Sequence, residues 1–501
     1  MIFKTYTSTL NGIDAETILV EADLSRGIPA FNIVGLTDTI IKESNQRIRA
    51  ALVNSGYKLP QCRITVNLSP ADKRKHGSHY DLPMAMAILG ASNQGVSFNW
   101  KKYAFFGELT LEGNINGVVG LLPLIIAAEE HGIENIIIPK ENEFEGALLK
   151  KSNVYSVKSL RDVISILAGV NHDKCKTIES VTDNEEIDFS QVYGQEVVKR
   201  IMVIAAAGGH NLMMIGPPGT GKTMMAKRFK SILPSLDYEE QIQLTKIYSV
   251  AGLLNKNSRF INIRPFRNPY NNTTSAGMFG GGFIPKPGEV SLAHRGVLFL
   301  DEFTTFDMKI LEGLRQLLDD GYINVIRKRE SVIFPADFIL LLATNPCKCG
   351  YFGDENHECI CTPAQINSFN EKFKTPLIDR IDLFAQMNPI NYKLIDKSEG
   401  VIDTKQMKLQ VINARKIQKK RFENRKINLN SQMESKDYKI YCRLGDAERT
   451  LLENAYKTLN LSMRGYRKVI KVSRTIADLD NSKDIKVTHI AEALQYRNMR
   501  G

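Results

Sequence analysis

Eight consecutive residues, Gly216, Pro217, Pro218, Gly219, Thr220, Gly221, Lys222 and Thr223, set glycines beside an amine and a hydroxyl. Glycines let successive backbone N–H groups turn inward on a phosphate, a lysine at this spacing reaches β and γ oxygens, and the following hydroxyl ligates Mg²⁺. The octet follows the apolar run Leu212 to Ile215 and opens the helical stretch Met224 to Ile232. That order of strand, loop and helix puts a helix N-terminus under an anion. A second apolar run, Val297 to Leu300, ends in Asp301 and Glu302. Asp301 suits the metal shell, and Glu302 suits the water that attacks a γ-phosphate. The two halves together imply that ATP and Mg²⁺ are bound and that ATP is hydrolysed.

A second cluster follows the next apolar run. Cys347 and Cys349 form one Cys-x-Cys pair, Cys359 and Cys361 another, with Gly350 and Gly353 allowing a tight loop. Four thiolates close a tetrahedral structural Zn²⁺ site and leave no open position for substrate; His357 could replace one sulfur, and the alternative is a set of free thiols. Cys62, Cys175 and Cys442 are scattered. This is no disulfide framework, and a reducing cytoplasm is expected.

These residues need elements to hold them. Composition is that of a globular protein, 43% hydrophobic and 24% charged over 501 residues, enough for two to four domains at roughly 100–200 residues each. No apolar run approaches the roughly 20 residues of a membrane span, so no membrane partner is expected. Residues 1–168 alternate β-rich runs (Ala15 to Ala22, Ile64 to Leu68, Asn135 to Pro139) with helical ones (Glu43 to Ser55, Leu82 to Ala91, Leu121 to His131), which predicts an α+β domain. A polar linker is placed at 169–187. From 188 to 398, buried-type runs ending in glycine or acid alternate with helical patterns, as a parallel sheet covered on both faces requires. From 399 to 501 the pattern is helical and rich in Lys and Arg. The excess of 66 Lys+Arg over 55 Asp+Glu, a net +11, favours a polyanionic partner.

The glycine loop, the Leu-Phe-Leu-Asp-Glu run ending at Glu302, and Ala343-Thr344-Asn345-Pro346 together resemble an AAA+ ATPase. That resemblance implies four further roles. Asn345 would position the attacking water. Arg380, in Leu377-Ile378-Asp379-Arg380, would be the arginine finger of a neighbouring subunit. Arg464, after Ser462-Met463, would be the second sensor reaching phosphates from the lid. Tyr193 and Gly194 would hold the adenine. Several other stretches, among them Pro287 to His294, Arg315 to Leu318 and Ser473 to Leu479, make the chain similar to the magnesium-chelatase-like YifB/ComM family over nearly its whole length.

This family resemblance implies an α/β architecture: an inactive Lon-protease-like α+β domain, a central AAA+ parallel-sheet domain with inserted hairpins and the Cys-rich loop 347–361, and a C-terminal helical lid. It implies a homohexamer acting on single-stranded and branched DNA, a helicase that drives branch migration in natural transformation. Leu122 stands where a Lon-type protease carries its lysine, so no amine activates a hydroxyl; Ser78, His79 and Asp81 are the counter-candidates for a degenerate triad. The excess length before Asp301 (Arg264 to Tyr270, Gly280 to Gly288) implies an insertion projecting from the core. The run Ile323 to Pro335 predicts a hairpin whose Arg327, Lys328 and Arg329 would grip a phosphate backbone. Asn268 to Asn271 depart from the histidine pair that relatives tend to carry there. The basic stretch 401–430 is either the solvated face of a lid helix or a DNA contact. Two rival readings share the core: a chelatase-type motor subunit and a protein-remodelling ATPase.

Overall fold

The computed structural model describes residues 2–94, 98–170, 172–176, 188–254, 260–282, 284–327, 330–354, 357–371, 373, 375–389 and 403–497. The first region comprises β1 (Ile2–Asn11), β2 (Asp14–Ser25), β3 (Ala30–Val34), α1 (Thr39–Asn54), β4 (Arg63–Ser69), α2 (Asp81–Ala91) and β5 (Tyr103–Phe105). The short hairpin β6 (Glu108–Leu109) and β7 (Ile115–Asn116) follows, then α3 (Leu121–Glu130), β8 (Asn135–Pro139), α4 (Glu143–Gly146), β9 (Asn153–Val157) and α5 (Leu160–Leu167). Seven strands form one sheet in the order β3-β4-β2-β1-β5-β8-β9. The run Ile136-Ile137-Ile138 shows why it is a strand buried on both faces: Ile137 joins the core under α1, α2 and α5, while Ile136 and Ile138 join the core under α3. Side chains alternate across a strand, so a sheet covered on both faces needs an unbroken apolar run.

The described part of the expected linker does not all leave this domain. Cys175 N–H donates to Val154 O at 2.8 Å and Lys174 bridges to Tyr155, so Lys174 and Cys175 add to the sheet edge. Residues 177–187 lie outside the described set.

The central region runs α6 (Glu196–Gly208), β10 (Leu212–Ile215), α7 (Lys222–Ile232), α8 (Tyr238–Ala251), β11 (Phe266–Arg267), α9 (Ser275–Phe279), β12 (Gly280–Gly281), β13 (Lys286–Pro287), α10 (Glu289–Leu292) and β14 (Val297–Leu300). It continues with α11 (Met308–Asp320), β15 (Tyr322–Arg327), β16 (Glu330–Pro335), β17 (Ile339–Thr344), α12 (Pro363–Glu371) and β18 (Leu383–Gln386). Five parallel strands stand in the order β11-β14-β17-β10-β18. Leu341 and Ala343 of β17 face one core and Leu340 and Leu342 the other, the same two-sided logic. The chain order reverses at β10, and in open α/β sheets ligands sit at such a switch, beyond the carboxyl ends of the strands.

The projecting insertion expected at Arg264 to Tyr270 needs correction. Phe266 and Arg267 are the edge strand of the sheet, paired with Val297 and Leu298. Arg264 is buried, donating to Pro234 O at 2.7 Å and Arg295 O at 2.6 Å and pairing with Glu240. Gly280 and Gly281 do pair with Pro287 and Lys286 as a small antiparallel ribbon. The hairpin expected at Ile323 to Pro335 is β15 and β16, in register from Tyr322 opposite Pro335 to Arg327 opposite Glu330. Lys328 and Arg329 lie outside the described residues, as does the side chain of Arg327.

The last region is helical: α13 (Thr404–Arg421), α14 (Ser435–Tyr441), α15 (Asp446–Thr458), α16 (Met463–Leu479) and α17 (Val487–Gln495). Asp188 ties it to the core by accepting from Thr404 N at 3.0 Å and Thr404 Oγ1 at 2.7 Å. Those bonds hold the Asp188 carboxyl well below its ordinary range. Part of the basic stretch is spent inside the protein. Arg415 donates to Ala206 O at the C-terminus of α6, where a cation offsets the helix dipole; Arg421 pairs with Asp478 and Arg425 with Asp437. Lys416, Lys419 and Lys420 stay exposed.

The N-terminal domain meets the core through Gly120 N–H to Ser249 O at 3.0 Å, the Lys246–Asp14 ion pair and an apolar cluster that includes Ile13 and Leu244, and through one buried carboxylate. Buried Glu145 of α4 accepts from Ser249 Oγ of α8 at 2.6 Å, Leu122 N at 2.8 Å and Asn142 Nδ2 at 2.6 Å. Burial raises its pKa, against those three bonds.

Candidate nucleotide site and cysteine cluster

The loop between β10 and α7 is shaped by glycines at positive φ. Gly219 has φ +79° and Gly221 φ +88°. A Cβ on Gly219 would meet no atom within 4 Å, so the loop opens on space, whereas a Cβ on Gly216 would strike Met387 O at 2.3 Å. Among the described residues, the N–H groups of Gly219, Thr220 and Gly221 donate to no backbone carbonyl. Open space, unspent donors and a helix N-terminus fit a bound phosphate chain.

Lys222 Nζ lies back on the loop, donating to Gly216 O at 2.7 Å, Pro217 O at 2.8 Å and Asn345 Oδ1 at 3.0 Å. Its pKa is lowered by burial, against the pull of Asp301 and Glu302. Thr223 Oγ1 donates to Asp301 Oδ2 at 2.7 Å, so the hydroxyl and carboxylate expected to share Mg²⁺ are in contact. Hard oxygens of this kind suit Mg²⁺, which takes one or two protein ligands and completes its shell with phosphate and water. Glu302 follows at φ +47°, a left-handed conformation that costs a non-glycine residue about 1 kcal/mol or more. Thr305 holds it there, its N–H and Oγ1 both donating to Glu302 O at 2.8 Å. The result is an exposed carboxylate turned out of the strand line beside the loop. Lys222, Thr223, Asp301, Glu302 and Asn345 are thus brought together from three adjacent strand ends.

The adenine candidates Tyr193 and Gly194 reach the same site through Gln195 of the same segment and through Met387 and Asn388, which the sequence did not single out. Gln195 Nε2 donates to Asn388 O at 2.7 Å, and Met387 N–H donates to Ile215 O at 2.7 Å. The end of β18 therefore joins the Tyr193 segment to the glycine loop. Tyr193 is partly exposed at 39%.

The two arginines stand elsewhere. Arg380 is buried and forked onto Asp319 of α11, with Nε to Oδ1 at 3.2 Å and Nη2 to Oδ2 at 2.5 Å; Nη1 donates to Pro376 O. Arg464, at the start of α16, is exposed, and its charge acts on Asp319, the same carboxylate, which Arg380 chiefly holds low. Among the described residues no hydrogen bond joins either arginine to the glycine loop of its own chain.

The four cysteine sulfurs all lie within 4.8 Å of one another. The separations are 3.3 Å for Cys347 and Cys349, 3.5 Å for Cys349 and Cys359, and 3.7 Å for Cys347 and Cys359. Four sulfurs at a Zn–S distance of about 2.3 Å form a tetrahedron with edges of about 3.8 Å, so the donor set fits a single Zn²⁺. His357 is not a fifth candidate here: its ring stacks on Tyr351 at 4.7 Å, and its side chain is 60% exposed.

The triad candidates are separated. Buried His79 places Nε2 2.9 Å from Ser8 O, and burial lowers its pKa to about 4. Asp81 points at Arg47 instead, at 2.6 and 3.1 Å, and takes Leu109 N–H at 3.2 Å. The hydrogen bonds of His79 Nε2 and Asp81 thus go to groups other than Ser78, and sequence adjacency does not supply the geometry.

Comparison with known proteins agrees with this architecture. Family models match residues 20–142 (subunit ChlI of Mg-chelatase), 188–395 (magnesium chelatase, subunit ChlI) and 402–497 (magnesium chelatase, subunit ChlI C-terminal). Competence protein ComM of Haemophilus influenzae is 38% identical over 505 residues, covering 99% of this chain and 97% of that protein. The uncharacterized protein YifB of Escherichia coli is 38% identical, covering 98% of this chain and 96% of its own length. A Lon protease of Geobacter metallireducens is 28% identical over 166 residues, 31% of this chain and 20% of the protease. Among the described residues no helix is long and apolar enough to cross a membrane. With its two-sided parallel sheet, its glycine loop and its full-length relatives, the chain belongs to the YifB/ComM family of magnesium-chelatase-like AAA+ ATPases.

Proposed function

We propose that the chain is a hexameric, ATP-dependent DNA motor, a helicase that promotes branch migration of recombination intermediates in natural transformation. One observation carries the reading: a chain with Lys222, Thr223, Asp301, Glu302 and Asn345 gathered at a glycine loop is similar from end to end to a competence protein. We divide it into an inactive Lon-like domain (1–168), a linker (169–187), the ATPase core (188–398) and the lid (399–501), working in the cytoplasm.

In this reading the free N–H groups of Gly219 to Gly221 and the Lys222 ammonium take the ATP phosphates. Lys222 gives up the Gly216 and Pro217 carbonyls for phosphate oxygens. Bound Mg²⁺, held by Thr223 and Asp301, would neutralise charge on the β and γ oxygens. Glu302 accepts a proton from the attacking water while Asn345 orients that water. Tyr193 and Gly194 hold the base. Arg380, released from Asp319, is offered to the γ-phosphate of a neighbouring subunit, and Arg464 serves the phosphates from the lid. A structural Zn²⁺ occupies Cys347, Cys349, Cys359 and Cys361.

DNA is held by phosphate contacts with little base readout. The basic run Arg327, Lys328 and Arg329 of the sequence supports this, as does a cavity lined in part by the described residues of β16. Ser331 and Val332 of the hairpin line a cavity of about 1080 Å³ together with Lys73, Arg74, His76 and Lys286 of the two domains, with Glu16, Asp72 and Glu108 as its acidic members.

The test is the ATPase rate with and without single-stranded, duplex and four-way-junction DNA at two salt concentrations. Stimulation by DNA that fades with salt is expected, because phosphate contacts release counterions. Robust ATPase indifferent to every DNA would favour the second reading, a chelatase-type motor subunit or protein-remodelling ATPase, which the magnesium chelatase family models support.

A further inference from the structure

The cysteine cluster is built against the nucleotide loop. Gly350, at φ +93°, lies so close to it that a Cβ there would come within 2.6 Å of Pro218 Cδ and 2.8 Å of Pro218 Cγ, with Asn345 Cγ at 3.9 Å. Only glycine tolerates both the left-handed backbone and that approach. Cys347 is two residues past Asn345, whose Oδ1 takes a hydrogen bond from Lys222. The Cys347–Gly350 turn closes through Gly350 N–H to Cys347 O at 3.1 Å, and Cys349 N–H donates to Cys361 Sγ at 3.3 Å. One short segment therefore touches the phosphate loop on one side and continues from the water-positioning candidate on the other.

Cys347 and Gly350 are buried, but apolar burial does little to hold the described residues of the segment beyond them. Phe352 is 50% exposed and Ile360 85% exposed, so the large apolar side chains nearest the thiols contribute little core. What remains is the sulfur set. Four thiols within 4.8 Å leave room for one ion and not for a multi-iron cluster, and a redox-inert structural role in a tetrahedral thiolate set suits Zn²⁺. A segment without its own core takes its shape from the ligand that crosslinks it.

We propose that Zn²⁺ bound by Cys347, Cys349, Cys359 and Cys361 sets the positions of Pro218 and Asn345, so that zinc occupancy and nucleotide affinity are coupled. The coupling rests on the nucleotide-site reading given above. Gly350 is the positioning residue that transmits it. The linkage is reciprocal: whatever factor zinc contributes to nucleotide binding, nucleotide contributes to zinc retention.

The full-length protein is purified without chelator, its zinc is counted, and the affinity for a fluorescent ATP analogue is measured at fixed Mg²⁺. Zinc is then withdrawn with a chelator that spares Mg²⁺, and the measurement is repeated on material whose far-UV circular dichroism is unchanged. One zinc per chain is expected, with analogue affinity weakened about tenfold on its removal and restored by added Zn²⁺. Release of zinc to the chelator should slow when ATP analogue is bound, a readout that needs no turnover. Gly350→Ala should keep its zinc yet bind the analogue more weakly, which separates the contact from the metal. Absence of zinc, or equal analogue affinity with and without it, overturns the coupling. If the zinc-loaded protein binds no analogue at all, the nucleotide-site reading falls first and the coupling with it.

Discussion

Two clusters of chemically capable residues can be set side by side. At the start of α2, Ser78, His79 and Asp81 offer a nucleophile, a base and an acid within four residues. Around the glycine loop, Lys222, Asp301, Glu302 and Asn345 offer comparable groups drawn from three strand ends. Every charged or basic member of the first cluster is already committed: His79 to the Ser8 carbonyl, Asp81 to Arg47 and Leu109 N–H. In the second, the loop N–H groups are unspent, Glu302 is exposed, and Lys222 rests on carbonyls of its own loop. Residue type and proximity in sequence therefore do not make a site. A site is where polar groups are left for something other than the protein to satisfy, and their cost is met by the surrounding fold.

The sharpest way to break this contrast is to remove groups from the open cluster. Arg380→Ala should bind ATP normally and lose hydrolysis by about 10³-fold or more, the usual scale for an arginine finger. Mixing it with Glu302→Gln chains should recover part of the rate, because each supplies what the other lacks across a shared interface; no recovery at any ratio would place Arg380 in the role its contact with Asp319 already gives it, a fold-stabilising ion pair. Glu302→Gln alone should lose hydrolysis by about 10²–10⁴-fold with binding intact. Turnover near wild type in that variant would remove Glu302 as the base. In the committed cluster, Ser78→Ala should leave the ATPase within a factor of about two, since no catalytic contact is made there.

Asp81→Ala acts on stability. It removes the partner of part-exposed Arg47, whose pKa is raised first by its bond to Asp81, and leaves the buried Leu109 N–H without its acceptor, a loss of about 1–3 kcal/mol. Chemical denaturation should show the loss in the N-terminal domain, with ATPase per folded molecule preserved. A fall in ATPase at full stability would reverse the contrast drawn above.

Much of this was legible in the sequence because it is local. The glycine octet, the Asp301-Glu302 strand end and the Asn345 strand end each announce themselves within a few residues, and the doubly buried strands follow from unbroken apolar runs. What sequence could not give is long-range pairing. Nothing near Gly350 points to Pro218, nothing near Glu145 points to Ser249 of another domain, and Arg380 carries no signal of Asp319. Phe266-Arg267 is too short for a strand pattern, so an edge strand was expected to be part of a projecting insertion. Lys174 and Cys175 read as polar linker because their partners, Tyr155 and Val154, are set by tertiary addition to the sheet.

The smallest effect concerns protons. Burial lowers the His79 pKa to about 4, below the ordinary value near 6.5. Unfolded chains therefore bind the proton more readily than folded ones, and stability is full above the unfolded value and lost as pH falls toward the folded one. Lowering pH from about 7 to about 5 should cost the N-terminal domain about 2 kcal/mol through this residue alone. His294, in the core beside Arg295 and Arg264, is lowered to about 3 by burial and those two charges, so the ATPase core should weaken in the same direction. The two domains are told apart by His79→Leu, which should flatten the pH dependence of the N-terminal transition and leave that of the core unchanged. If His79→Leu leaves the N-terminal slope as steep as before, the imidazole is not what titrates, and the contrast between a committed cluster and an open one would have to rest on Asp81 and Arg47.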